Sequence, residues 1–174
     1  MTNPTITPYS PASLDPHSRE TANHRRKLLI FQVGKLNLAL PVEFVKKILH
    51  YMPMEGSGTT AVGLIHLGDQ EITAIDLHKR LFKVSQTQIE GRQFLILAKN
   101  TIDEQFGILI SQTPSLIDLP LSQIRTLPDS YRRADTLDMA SHVTRVQHME
   151  QLLTVFVLDV DRLVPPIGIG DFVF

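Results

Sequence analysis

Histidine, serine and aspartate are the residues of this chain whose side chains could carry catalysis or hold a metal ion. The histidines show no H-E-x-x-H arrangement and no compact spacing of metal ligands. They are His17, His24, His50, His66, His78, His142 and His148. The sequence has no cysteine, which excludes disulfides and thiolate metal sites. The pattern predicts no metal site and no cofactor.

Two short motifs contain residue types that act as a nucleophile or bind a cation in other proteins. Gly56-Ser57-Gly58 lacks the G-x-S-x-G frame of a nucleophile elbow, and its Gly- and Thr-rich surroundings favour a flexible loop. Asp159-Val160-Asp161 offers two carboxylates, but no calcium-loop pattern follows it and helix capping accounts for Asp159. We therefore predict a protein that is not an enzyme. A small hydrolase on a β-barrel scaffold, with a nucleophile assembled from distant residues, is the alternative from another class.

Composition favours a soluble domain that recognises its partners by shape. Seventeen Lys and Arg residues against 18 Asp and Glu residues give a net charge of −1, which offers no electrostatic attraction for nucleic acid or anionic lipid. With no tryptophan and three tyrosines, an SH3-like nucleic-acid binder is a weak alternative. No apolar run approaches the roughly 20 residues that span a membrane, and none resembles a signal peptide. We expect a cytoplasmic location.

The segment from Gly63 to Leu81 predicts a hairpin closed by a short helix. An apolar run at residues 64–67 leads into Gly68-Asp69-Gln70, where the glycine can adopt the positive φ that tight turns require. A second strand at residues 71–75 is rich in Ile and Thr. Asp76 then stands where its carboxylate can accept hydrogen bonds from the first N–H groups of a helix.

Internal echoes predict two similar halves. The run Ile75-Asp-Leu-His-Lys-Arg-Leu81 returns in shorter form at residues 158–163, and the hairpin at residues 28–40 is echoed at residues 94–110. Short strands at this density, broken by Gly, Pro and Asn, favour β-barrels or a sandwich. We expect two barrel-like halves, each of which contributes chain to the other. The side chains expected to point inward are Leu36, Leu38 and Leu40.

The order and spacing of these elements resemble the CheW-like domain family, adaptors that join chemoreceptors to the histidine kinase CheA. The central segment of that family reads approximately G-V-I-N-L-R-G-x-x-x-P-V-V-D-L. This chain matches it without a gap at Gly63, Ile65, Leu67, Ile75, Asp76 and Leu77. The resemblance runs from about residue 27 to about residue 164. It implies a mainly β fold of two intertwined five-stranded SH3-like barrels with short helices.

The resemblance also divides the chain. Residues 1–26 are predicted to be a disordered arm, because prolines among Thr, Ser and Asn leave little apolar surface to bury. Residues 27–164 are the predicted CheW-like domain. Residues 165–174 are a tail that cannot continue a helix past its two prolines. Whether Phe172 and Phe174 dock on the domain surface or stay loose is left open by the sequence.

Two binding surfaces are implied by the resemblance. The surface for the regulatory domain of a CheA-type kinase maps to Val42, Val45, Lys47 and Ile48. The surface for the hairpin tip of a methyl-accepting chemoreceptor maps to Leu67, Gly68, Asp69 and Gln70. For the three apolar kinase-site residues, a place in the internal core is the alternative.

The chain departs from the family pattern at each surface. Gly68 stands where the family commonly has arginine, with acidic Asp69 beside it, so a charge-assisted contact is lost. Lys47 stands where the family often has glutamate, which would repel the usual cation of the kinase. Two functions follow. The protein is an adaptor whose partners have changed in step, in chemotaxis, phototaxis or pilus motility, or a divergent decoy or array filler without receptor coupling.

Overall fold

The computed structural model describes residues 24–56, 58–88, 90–132 and 137–164. Residues 1–23 of the predicted arm and the whole predicted tail, 165–174, lie outside these ranges. The first strand begins at Arg25, two residues before the start predicted for the domain. No described helix combines the length and the apolar character that a membrane span needs.

The described chain forms eleven β-strands and three short α-helices. The first half contains β1 (Arg25–Val33), β2 (Leu36–Pro41), β3 (Val45–His50), β4 (Val62–Leu67), β5 (Gln70–Ile75) and α1 (Leu77–Phe82). The second half contains β6 (Phe94–Lys99), β7 (Gln105–Ile110), β8 (Ser115–Pro120), β9 (Arg125–Thr126), α2 (Asp129–Arg132), β10 (Ala140–His148), β11 (Gln151–Leu158) and α3 (Val160–Leu163). Short 3-10 turns span Val42–Phe44, Gln86–Gln88 and Leu121–Gln123. The predicted mainly β fold with short helices is confirmed.

Each of the two sheets is built from both halves of the chain. One has the order β8-β1-β2-β11-β10-β9, and the other has the order β3-β6-β7-β5-β4. Strands β1 and β2 therefore leave the first half to pair with strands of the second, while β6 and β7 make the opposite exchange. This reciprocal exchange confirms the prediction that each half contributes chain to the other.

Five strands of the six-stranded sheet, all but β9, repeat the order of the five-stranded sheet. In this repeat β8 corresponds to β3, β1 to β6, β2 to β7, β11 to β5 and β10 to β4. Each sheet holds one parallel pair, β2 with β11 and β5 with β7. The N–H of Asp76 donates to the carbonyl of Ala61, and that of Asp159 donates to the carbonyl of Met139, both at 2.8 Å. The echo in the sequence is thus a structural repeat.

Both sheets curl, because one stretch of chain runs from one end strand to the other. Strand β8 continues through the 3-10 turn Leu121–Gln123 into β9, at the opposite end of its sheet. In the other sheet, the chain after β3 reaches Glu55, which bridges to Leu64 on β4 through N–O contacts of 2.6 and 2.7 Å. Each sheet therefore curls into a barrel that is closed by these connecting segments and not by pairing between its two end strands.

Three apolar cores follow from the alternation of side chains along the strands. Each barrel encloses a small core, one around Val155 and one around Ile65, and a larger core lies between the barrels. Leu38 and Leu40 are buried in the larger core and Leu36 packs against it, so all three point inward as predicted.

Both capping aspartates stand at helix N-termini, but they differ in burial. Asp76 is fully buried. Its carboxylate accepts from the N–H of Lys79 at 2.9 Å, the hydroxyl of Ser85 at 2.7 Å and the N–H of Gln86 at 2.7 Å. Asp76 thus fixes both the start of α1 and the chain that follows it. Asp159 accepts from the N–H of Asp161 at 3.1 Å, near the surface.

We expect Asp76→Ala to lower the free energy of unfolding by about 3 kcal/mol, because three donors lose their acceptor in a buried place. Asp159→Ala is the matched control and should cost about 1 kcal/mol, the usual value for an N-cap. Urea denaturation followed by circular dichroism measures both. Equal losses of unfolding free energy in the two variants would contradict the larger stabilising role that we assign to Asp76.

Candidate functional site

Strand β3 is an end strand of its sheet. It pairs with β6 on one side, and the sheet order places no described strand on its other side. It begins after Pro41, which ends β2, and after the 3-10 turn that follows this proline. An end strand leaves backbone N–H and C=O groups open to another chain, so β3 is a natural place for a protein partner.

The four residues predicted to contact a kinase divide into two pairs. Val42 and Val45 are partly buried and pack against the core between the barrels. A bulge between Val45 and Lys47 breaks the alternation of β3, and Lys47 is exposed. Ile48 lies opposite the fully buried Ile96 and is itself 42% exposed. Ile48 therefore lies on the same face of the sheet as Ile96, which belongs to the larger core, but on the end strand.

The four residues predicted to contact a receptor form the tip of the β4–β5 hairpin. Leu67 is partly buried against the core of its barrel, while Gly68, Asp69 and Gln70 are exposed. Gly68 has a φ of +61°, a conformation that favours glycine. A Cβ atom added there would meet nothing within 4 Å. The tip is sterically open.

The two surfaces lie on one barrel and carry opposite charges. Lys47 and its exposed neighbour Lys46 make the β3 edge basic. Near the hairpin, His66 lies 3.6 Å from a carboxylate oxygen of Glu55 and 3.9 Å from one of Glu71. With Asp69 at the tip, carboxylates outnumber lysine and arginine side chains along this hairpin. A partner of either surface has to complement its charge.

A groove of about 830 Å³ beside the hairpin was not foreseen from the sequence. Its walls are the start of β5, the β6–β7 turn and Val164. Within the turn, Asn100 Oδ1 accepts from the N–H groups of Ile102 at 3.1 Å and Glu104 at 2.9 Å. A hydrogen bond from Lys99 and its positive charge hold the pKa of Asp103 below its usual value.

No metal centre is formed by the described part of the chain, in which no three His, Asp or Glu side chains come together suitably. Ser57, of the Gly-Ser-Gly motif, lies outside the described residues. A serine–histidine contact exists on β10, where Ser141 Oγ lies 2.8 Å from His142 Nδ1. Burial, and then the positive charges of Arg26 and Arg132, lower the pKa of His142.

The described chain thus consists of two interleaved barrels, one of which has an end strand, β3, at the edge of its sheet. The chain belongs to the CheW-like domain family, whose model matches residues 27–166. Among solved structures, the scaffolding protein TtCheW from Thermoanaerobacter tengcongensis is similar with a TM-score of 0.66 and 14% sequence identity, over 83% of this chain and 91% of that chain. That likeness shows the fold. A comparison with curated protein sequences found no match.

The domain is accordingly a CheW-like chemotaxis scaffold or adaptor, of a family that is generally non-catalytic.

The difference in burial between Val45 and Ile48, both on β3, predicts different effects on stability. We expect Val45→Asp to lower the free energy of unfolding by about 2 kcal/mol or more, because it places a charge against the larger core. Ile48→Asp, at the exposed edge, should change it by about 0.5 kcal/mol. Thermal denaturation of both variants measures the difference. A large loss in Ile48→Asp would mean that Ile48 also belongs to the packed core.

Proposed function

We propose that this protein is a non-catalytic cytoplasmic adaptor that holds a CheA-type histidine kinase next to a chemoreceptor. The pathway is chemotaxis, phototaxis or pilus motility. Membership of the CheW-like family supports the proposal. The observation that carries it is the open edge of β3, where exposed Ile48 stands beside exposed Lys47. No cofactor is needed, because an adaptor acts by binding two proteins, here through two surfaces of one barrel.

The kinase surface is the β3 edge. Ile48 offers an apolar contact opposite Ile96 of the larger core, and the strand offers unpaired backbone groups to a similar barrel. Lys47 reverses the charge that the family usually has at this place. The cognate kinase domain should therefore present an apolar pocket flanked by a carboxylate instead of a cation. Val42 and Val45 support this surface from the core side.

We expect Ile48→Asp to weaken binding to the regulatory domain of the native kinase at least tenfold, because an apolar contact at the centre of the edge is lost. Leu152→Asp is the matched control, since Leu152 is 61% exposed on a strand of the other barrel. Isothermal titration calorimetry measures both affinities. Unchanged binding by Ile48→Asp would remove the β3 edge from the interface.

The same calorimetric titration tests the contribution of the positive charge of Lys47. Lys47→Glu should weaken binding to the native kinase and strengthen binding to a kinase that carries the usual basic partner. An equal response of the two kinases would separate Lys47 from the interface.

The receptor surface is the hairpin tip of Leu67, Gly68, Asp69 and Gln70. Its turn geometry is suited to presenting a side chain, but the tip carries an acidic group and not a cation. A receptor that relies on the arginine of other family members finds no such partner here. This charge at the tip favours a second candidate function, a decoy or array filler that binds kinase without receptor coupling.

Restoring the arginine separates the two candidates. We expect the native protein to couple poorly to receptors that rely on the arginine, and Gly68→Arg to recover part of the coupling. The side chain has open space, although its positive φ costs about 1 kcal/mol. Kinase autophosphorylation with receptor-bearing membranes measures coupling.

The control is Gly58→Arg, because Gly58 also has a positive φ of 74° and open space but lies outside the hairpin. Full receptor-dependent activation by the native protein would contradict the expectation, and would mean that Asp69 and Gln70 engage the receptor by another route.

A further inference from the structure

One wall of the groove beside the β4–β5 hairpin is the edge of β5, at the part of that strand that does not pair with β7. Strand β5 pairs with β4 from Gln70 onward, but its register with β7 covers Thr73 to Ile75. The backbone of residues 70–72 therefore lies along the groove and has no registered partner on β7, although the side chain of Ile72 is buried in its barrel core. Such an edge has unpaired backbone groups that an extended segment can contact.

The opposite wall is a turn that holds an apolar side chain outward. Ile102 is 72% exposed and belongs to none of the three described cores. The turn is tied to α3, because the N–H and hydroxyl of Thr101 donate to Asp161 Oδ1 at 3.0 and 2.8 Å. The turn therefore keeps a fixed position beside the helix from which the chain continues. Ile102 adds an apolar rim to the groove.

The described part of the chain ends at this groove. Val164, the last residue described, forms part of the wall, and the segment 165–174 follows it directly. This segment contains five large apolar residues and one charged residue. Its two prolines restrict φ and so reduce the entropy that ordering would cost. Ten residues reach up to about 33 Å when extended, which is ample for a groove that begins at Val164.

We propose that the segment 165–174 of the same chain binds in this groove, with Ile167 and Ile169 against Ile102 and Val164. Residues two apart point to the same side of an extended segment, so both isoleucines can face the wall. The rim carries Glu71, Asp103 and Glu104, which repel Asp171, so the part nearest Val164 fills the groove and Asp171 stays outside.

All but the first two residues of the segment lie beyond the matched family domain, which ends at residue 166. A bound segment would cover Gln70 and shield the hairpin from a receptor; this consequence rests on the proposed function, whereas the binding itself does not.

A short tether gives an effective concentration on the order of 1 mM. A dissociation constant of about 0.1 mM for the free peptide would therefore keep the groove about ten to one occupied.

The test compares amide NMR spectra of the ¹⁵N-labelled full chain and of a variant that ends at Val164. We expect differences at residues 70–73 and 100–105, and their reversal when peptide 165–174 is added with a dissociation constant of about 0.1 mM or below. The full-length double variant Ile167→Asp/Ile169→Asp should reproduce the spectrum of the shortened chain. It also keeps the test valid if the shortened chain does not fold.

Met149→Asp is the control, because Met149 is 86% exposed on the other barrel and should leave the groove resonances unchanged. Identical groove resonances in the full and shortened chains would overturn the proposal. Differences confined to the β3 edge, or differences that depend on protein concentration, would overturn it as well, because the segment would then bind elsewhere or bridge two copies. Neither kinase nor receptor is present, so failure here is distinguishable from failure of the adaptor proposal.

Discussion

The two parallel strand pairs, β2 with β11 and β5 with β7, are the contacts on which the rest of the structure depends. Each joins strands of different halves, and each lies inside a sheet, so neither barrel closes without chain from the other half. Small residues stand in both pairs, Ala39 on β2 and Gly107 on β7. A Cβ on Gly107 would lie 2.8 Å from Leu95, which shows how closely the barrel wall approaches its own core.

The exchange also determines which surfaces remain available. Because β6 and β7 complete the barrel of the first half, β3 is left with an open edge on one side of that sheet. The β4–β5 hairpin stands at the other end of the same sheet order. Val45 on β3 packs against the larger core, to which both halves contribute, and Ile48 lies opposite Ile96 of that core. The edge of β3 that we propose as a binding surface is thus supported by packing that involves both halves of the chain.

Local signals made much of this fold predictable. The turn at Gly68, the cap at Asp76 and the repeated strand-then-aspartate pattern each depend on a few neighbouring residues. The burial of Val42 and Val45 was undecided in the sequence, because a bulge after Val45 shifts the alternation by one residue. The groove could not be foreseen, since its turn is fixed by Asp161, sixty residues beyond Thr101. Long-range hydrogen bonds leave no periodic trace in a sequence.

The reciprocal exchange has a consequence for synthesis on the ribosome. Asn37 of β2 donates to the carbonyl of Thr154, 117 residues later in the chain, so β1 and β2 emerge long before the strands that cover them. The first half likewise waits for β6 and β7. Contacts this distant slow folding and leave apolar strands exposed in the nascent chain. The sheet β3-β6-β7-β5-β4 has all of its strands once Ile110 has been translated, whereas the other sheet has to wait for β11, which ends at Leu158.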